Sequence, residues 1–253
     1  MKKSAYIFND GELCRKDSTV CFQTEDATKF LPIEDLNDIY VFGEVTVTKK
    51  FLEYAAQKEV LLHFFNYHEY YVGTYYPREH YNSGYMILKQ AEHYMDESKR
   101  RRLAFRFIEG AAKNIVHVLR YYMNRGKAGL HEAVKSIEQL FDTVSPEWDI
   151  SEMMAIEGNI RELYYHCFDG ILENSEFSFE KRSKRPPQNK LNTLISFGNS
   201  LLYTIVLSEI YNTHLDPRIG YLHTTNNRRF TLNLDVAEIF KPIIVDRVIF
   251  TLL

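Results

Sequence analysis

With 253 residues and 29.9 kDa, the chain has room for one large domain or two modest ones with ample core. Hydrophobic residues at 45% and charged residues at 26% are ordinary for a globular chain. The net charge of −3 excludes a polycation that grips nucleic acid through its overall field, so any such contact must use local basic patches.

Three cysteines, Cys14, Cys21 and Cys167, give an odd count without a CxxC spacing. That argues against both a disulfide framework and a zinc ribbon. The start MKKSAYIFND is basic but lacks an apolar h-region, so no signal peptide is expected. No run approaches ~18 uninterrupted apolar residues, so the expectation is no membrane span and a cytoplasmic location.

Up to Tyr76 the apolar pattern has a period near two. Strands are predicted over Ala5–Phe8, Thr19–Gln23, Thr28–Ile33, Asp38–Phe42, Glu44–Thr48, Val60–Phe65 and Tyr70–Tyr76. Asn9-Asp10-Gly11 and Asn37-Asp38 supply turn signals. One helix, Lys49 to Lys58, interrupts the strands, with Thr48 placed to cap it. Many short strands around one crossover helix predict a small β-sandwich or rolled sheet.

After Tyr76-Pro77-Arg78 the period lengthens to 3.6. One or two helices are predicted from Ser83 to Asn124, with Leu88, Ala91, His93, Tyr94, Phe105, Ile108, Ala112, Ile115 and Leu119 on the inner side. Helix Leu130–Phe141 follows, and Ser145-Pro146 reads as an N-cap with proline at the first helical position. Further helices are predicted over Ser151–Leu172, Asn189–Thr213, Leu232–Phe240 and Pro242–Leu253. Between them the polar segment 173–188 ends in Lys-Arg-Ser-Lys-Arg-Pro-Pro and is predicted to be a mobile basic loop. The fold class is therefore α+β, with a β-sandwich over 1–78 and a mostly helical domain over 83–253.

Three groups stand out chemically. Glu157 lies beside the stripe Met153, Ile156, Ile160, Leu163, Tyr164, where an ionised carboxylate needs a cation or a metal. The plain alternative is an i,i+4 pair with Arg161 at the edge of the core. His223 follows Gly220-Tyr221-Leu222 at a turn; a lone histidine is more often structural than a ligand. Asp235 and Glu238, three apart on a short helix, share one face, as acids on solvated helices often do. Each signal is weak by itself, but together they describe an oxygen-rich divalent-metal site. Lys181, Arg182, Lys184, Arg185 and Lys190 form a basic cluster suited to phosphate contact, and Arg228-Arg229 adds another.

With these motifs the chain resembles the CRISPR-associated endonuclease and integrase of spacer acquisition, the Cas-one family. The resemblance rests on Phe42-Gly43-Glu44-Val45, Tyr76-Pro77-Arg78, Glu157-Gly158 with Arg161 and Tyr164, and Arg185-Pro186-Pro187. It continues with Leu191 to Gly198, Gly220-Tyr221-Leu222-His223, Leu234-Asp235-Val236-Ala237-Glu238, Lys241-Pro242 and Asp246. It implies an N-terminal β-sandwich, a helical catalytic domain, and metal ligands at Glu157, His223 and Glu238 with Asp235 as an acidic neighbour. It also implies a homodimer through the β domain and assembly with a small Cas-two partner to insert DNA fragments into the CRISPR array. Two departures stand out. Asn199 occupies a place where the family often has tyrosine, and similar proteins continue through more helices, so a C-terminus truncated at Leu253 is expected.

Two carboxylates and a histidine without thiolates suit Mg²⁺ or Mn²⁺ rather than structural zinc. Such an ion serves cleavage when water attacks and strand transfer when a DNA 3′-hydroxyl attacks. Three other readings stay open: a metal nuclease for branched DNA in repair, a noncatalytic DNA-binding scaffold, and an RNA nuclease.

Overall fold

Alternating apolar side chains build the first part of the chain into two four-stranded sheets. The computed structural model describes residues 2–77, 81, 83–225 and 230–253; Arg78 of the junction motif and the basic pair Arg228 and Arg229 lie outside these. The chain divides into two units, Met1–Asn82 and Ser83–Leu253.

The strands of the first unit are β1 (Lys3–Ile7), β2 (Gly11–Lys16), β3 (Thr19–Gln23), β4 (Thr28–Leu31), β5 (Leu36–Val41), β6 (Val45–Val47), β7 (Leu61–Phe65) and β8 (Tyr71–Tyr75). One sheet has the order β1-β5-β7-β8, parallel except for the last pair; the other runs β4-β3-β2-β6, antiparallel except for β2 with β6. Ile7, Leu13, Val20, Phe22, Ile39, Val41 and Leu62 share one core with Phe51, Tyr54 and Ala55 of helix α1 (Lys49–Gln57). Burying each large apolar side chain contributes roughly 1.5–3 kcal/mol. Thr48 caps α1 as expected, its Oγ1 accepting from Phe51 N at 3.3 Å.

Strand β2 escapes the periodicity reading because only Leu13 of its six residues is buried. Its pairing with β3 brings a correction. Cys14 and Cys21 stand directly opposite each other with Cα atoms 5.2 Å apart and are joined as a disulfide. A hairpin unites them, which motif spacing could not reveal.

Aromatic rings line the first sheet from strand to strand. Tyr6 stacks on Tyr40 at 5.0 Å, Phe8 on Phe42 at 4.9 Å, and Phe42 on Phe65 at 4.4 Å. The row continues outward into exposed rings at Tyr6 and Phe8. Among these rings His63 is buried, its Nδ1 2.7 Å from Thr74 Oγ1.

The second unit comprises α2 (Gly84–Met95), α3 (Glu97–Met123), α4 (Leu130–Asp142), α5 (Ile150–His166), α6 (Phe168–Leu172), α7 (Lys190–Tyr211), α8 (Leu232–Phe240) and α9 (Arg247–Leu252), with a π-helical turn at Pro242–Asp246 before the last. Asp96 separates α2 from α3. Its backbone N–H closes α2 on Glu92 O while its carboxylate accepts from Lys99 N, each at 3.1 Å. The long α3 is central, packing against α4, α5 and α8 through a stripe that includes Ala104, Ile108, Ala111, Ile115 and Leu119.

Two expectations in this unit need correction. The cap of α5 is Asp149, whose N–H donates to Glu152 Oε2 at 3.0 Å. Ser145-Pro146 instead opens a single turn closed by Trp148 N on Ser145 O. The basic segment 173–188 is tethered rather than loose. Phe179 is buried, its N–H donates to Asp169 Oδ1 at 2.7 Å, and Arg182 donates to Asn192 Oδ1 and Ser196 Oγ on α7. The buried ring of Phe179, with Phe177 packed partly buried against the same core, anchors a stretch that is mostly polar.

Helix α7 is, by length and composition alone, long and apolar enough to cross a membrane. Its Leu191, Ile195, Leu202, Val206 and Ile210 belong to the core of this unit. Gly198 on α7 permits a tight crossing with the π turn, since a Cβ there would come within 2.6 Å of Val245 Cγ1.

Candidate active site

Helix α8 places Asp235 and Glu238 on one face, and the two carboxylates are put to different uses. Asp235 is fully buried and accepts four hydrogen bonds. Oδ2 takes the N–H groups of Tyr221 (2.5 Å) and Leu222 (3.0 Å); Oδ1 takes the N–H of His223 (2.9 Å) and its ring Nδ1 (2.8 Å). A carboxylate so engaged only accepts, so Nδ1 carries the proton and Nε2 presents its lone pair. Gly220 makes this close wrapping possible, because a Cβ there would lie 2.9 Å from Asp235 Oδ2 and 2.7 Å from the Thr231 carbonyl carbon. Arg100 of α3 donates to Tyr221 O at 3.0 Å, and Gln90 of α2 pairs with the Asp216 backbone at 2.7 and 3.2 Å. Three helices thus fix the turn bearing His223.

Glu238 meets Glu157 through an arginine. Nε and Nη2 of Arg161 donate to Glu157 Oε1 at 2.8 and 2.5 Å, and the same Nη2 reaches Glu238 Oε2. Lys241 Nζ takes the other Glu238 oxygen at 2.5 Å. Burial works to raise the Glu238 carboxyl, but Arg161 and Lys241 outweigh it and hold the group down at about 2. Burial likewise disfavours the Lys241 and Arg161 cations, yet the facing acids keep both firmly charged. His223 stands near enough to Glu238 for the two to interact electrostatically.

Behind this cluster the π turn aims Asp246 inward. Its N–H donates to Lys241 O, five residues back, at 3.1 Å. The carboxyl is buried beside Tyr164, and burial pushes it up to about 7 against the opposing pull of Arg161.

The basic residues divide. Arg182 is committed to α7 and Lys190 pairs with Glu176 at 2.8 Å. Lys181, Lys184 and Arg185 are exposed. The Lys184 residue is exposed as a whole, but its ammonium end is partly enclosed near the site, so burial first, and then the charges of Arg182, Lys241 and Arg161, lower it.

Among the described residues no three His, Cys, Asp or Glu side chains converge as an ion site. Glu157 and Glu238 do come together, with the Arg161 guanidinium between them. The donor set, two carboxylates and an imidazole with its Nε2 lone pair presented, fits a hard divalent ion chemically. Sequence reasoning overlooked Lys241 and Asp246 as parts of the cluster. The spacing Glu238-x-x-Lys241 was the available signal, whereas the placement of Asp246 depends on the π turn.

A family model described as CRISPR associated protein Cas1 matches residues 5–253. The chain belongs to the Cas1 family. A relative from Thermodesulfovibrio yellowstonii, named CRISPR-associated endonuclease Cas1 2, is 59% identical over 252 residues, covering 100% of this chain and 76% of the relative. A solved Cas1 protein from Thermotoga maritima superposes with a TM-score of 0.87 at 50% identity, over 99% of this chain and 78% of that one. A casposase bound to integration product shares the fold, with a TM-score of 0.81 at 19% identity, over 100% of this chain and 72% of its own. The Cas1 resemblance drawn from the sequence motifs is borne out, as is the order of a β-rich part followed by a mostly helical one.

Proposed function

We propose that this Cas1 chain is a divalent-metal-dependent DNA endonuclease and integrase that joins fragment 3′ ends to a CRISPR array. The meeting of Glu157 and Glu238 from separate helices, beside a histidine oriented by Asp235, carries the reading. Glu157, Glu238 and His223 Nε2 would hold Mg²⁺ or Mn²⁺, with Asp235 aligning the imidazole from behind. When bound, such an ion polarises a phosphoryl oxygen and steadies the charge on the departing 3′ oxygen.

The protein groups account for the rest. Lys184, exposed next to Arg161 and Lys241, supplies a cation for the phosphate backbone, and Lys181 and Arg185 extend the track. Cleavage breaks the bond between phosphorus and the 3′ oxygen with water as nucleophile. Strand transfer breaks the same bond with a 3′-hydroxyl as nucleophile, so one phosphodiester replaces another and no external energy source is needed.

In the same reading the protein works in the cytoplasm as a homodimer through the β unit, together with a Cas2-family partner. The exposed Tyr6 and Phe8, at 50% and 65%, support an aromatic contact surface there. A noncatalytic DNA-binding scaffold is favoured by one observation, the complete pairing of Glu238 by Arg161 and Lys241. Strand transfer into a repeat-containing plasmid, with wild type and Glu157→Ala compared in Mn²⁺, separates the readings. Integration abolished in the variant supports the enzyme. Equal DNA binding with no integration by either protein, in the presence of the partner, supports the scaffold.

A further inference from the structure

The Arg161 guanidinium is sequestered, its side chain only 14% exposed. One nitrogen, Nη2, touches an oxygen of Glu157 and an oxygen of Glu238 at once. It therefore occupies the gap between these two oxygens, which an ion held by both would need. A Mg²⁺ ion binds carboxylate oxygens at ~2.0–2.1 Å. A guanidinium nitrogen and such an ion, both positive, cannot share that gap.

Two further features bear on whether the arginine can yield. Nη1 of Arg161 is buried without a hydrogen-bond partner, so the guanidinium is incompletely satisfied where it sits. The buried carboxyl of Asp246 lies beside Tyr164, and Arg161 exerts the largest charge interaction on it. Lys241 keeps one oxygen of Glu238 neutralised whatever Arg161 does. Nε of Arg161 remains available to Glu157, four residues away on the same helix.

We propose that Arg161 is a positioning residue that acts as a built-in stand-in cation. It holds Glu157 and Glu238 together and must release Glu238 before a divalent ion can bridge them. Ion binding is then an exchange of one cation for another, with Asp246 as the acceptor toward which the freed guanidinium turns. The inference rests on the reading of Glu157 and Glu238 as ligands. It adds that the ion's affinity is held down by a residue of the same chain.

The test is calorimetric titration of the 253-residue chain with Mn²⁺, alongside its thermal shift. Wild type, Arg161→Gln, Arg161→Lys and Glu157→Ala are compared. Lysine keeps the positive charge but is shorter and lacks the second nitrogen, Nε, by which the arginine is also held on Glu157. The Lys variant therefore decides the matter should the Gln variant fail to fold. Both arginine variants should melt lower than wild type without Mn²⁺, bind Mn²⁺ tighter by roughly tenfold, and gain more in Tm at saturation. Equal or weaker binding by the Lys variant, with binding still abolished in Glu157→Ala, overturns the exchange and leaves the metal reading standing. Absence of Mn²⁺ binding in every protein, wild type included, overturns both.

Discussion

Oδ1 of Asp235 accepts from His223 twice, from the backbone N–H at 2.9 Å and from ring Nδ1 at 2.8 Å. The histidine is thus locked in position and in tautomer by a single atom. Asp235→Asn replaces an acceptor-only group with one that also donates, loosening the ring. We expect activity or metal affinity to fall by about 10–100-fold with far-ultraviolet circular dichroism unchanged. Gly220→Ala should produce the same functional loss and also lower Tm, because its new methyl group collides with that carboxylate. Full activity in both variants would dismiss the role given to the turn.

The tethered basic segment separates two kinds of arginine and lysine. Neutralising Lys181, Lys184 and Arg185 together should weaken DNA binding and reduce its salt slope by about 0.9 for each phosphate that is no longer neutralised. Arg182→Ala should chiefly lower stability, since its hydrogen bonds run to Asn192 and Ser196. The check is DNA affinity measured across a salt series, paired with melting curves. A triple variant with an unchanged slope would move the DNA track elsewhere.

Acid should weaken the first unit through His63. Burial pushes this imidazole down to about 4, against an ordinary value of 6.5 and despite the nearby Asp38 charge. A folded value below the unfolded one means stability is fully present above pH 6.5 and is lost as pH falls toward 4. The loss over that window is about 3 kcal/mol. His63→Asn should flatten this part of the pH–stability curve, and parallel curves for the two proteins would contradict the assignment.

Asp246 has the opposite sign. Burial raises its folded value to about 7, so its contribution is complete near pH 4 and declines as pH rises through 7. The melting temperature of Asp246→Asn relative to wild type should therefore climb between pH 4 and pH 7 and level off above. A difference independent of pH would show that Asp246 is ionised throughout.

Much of the architecture was legible because it follows from local pattern. The change of apolar period after Tyr76 marks where strands give way to helices, and α8 spans Leu232–Phe240, as its spacing predicts. Glu157 was legible as a carboxylate out of place beside Ile160, and Arg161 as its neighbour one turn on. What remained hidden depends on long-range geometry. The hydrogen bond from Arg161 to Glu238 joins residues 77 positions apart, and no periodicity encodes it. The Cys14–Cys21 bond follows from hairpin register, and the Phe179 anchor from a short aromatic pair, Phe177 and Phe179, in a mostly polar stretch.

The π turn at Pro242–Asp246 amounts to one additional residue lodged between α8 and α9. Each residue of a regular helix advances about 100° around its axis. Removing one, for instance the partly exposed Ile244, would let the backbone relax into unbroken helix and spin everything after it by about that angle. Asp246 would leave the interior, and Ile249 and Phe250 would be turned away from the core. The reach of a carboxyl group behind Arg161 thus depends on a count of residues rather than on any one side chain. Inserting or deleting a single position there would be felt at the site as strongly as a substitution within it.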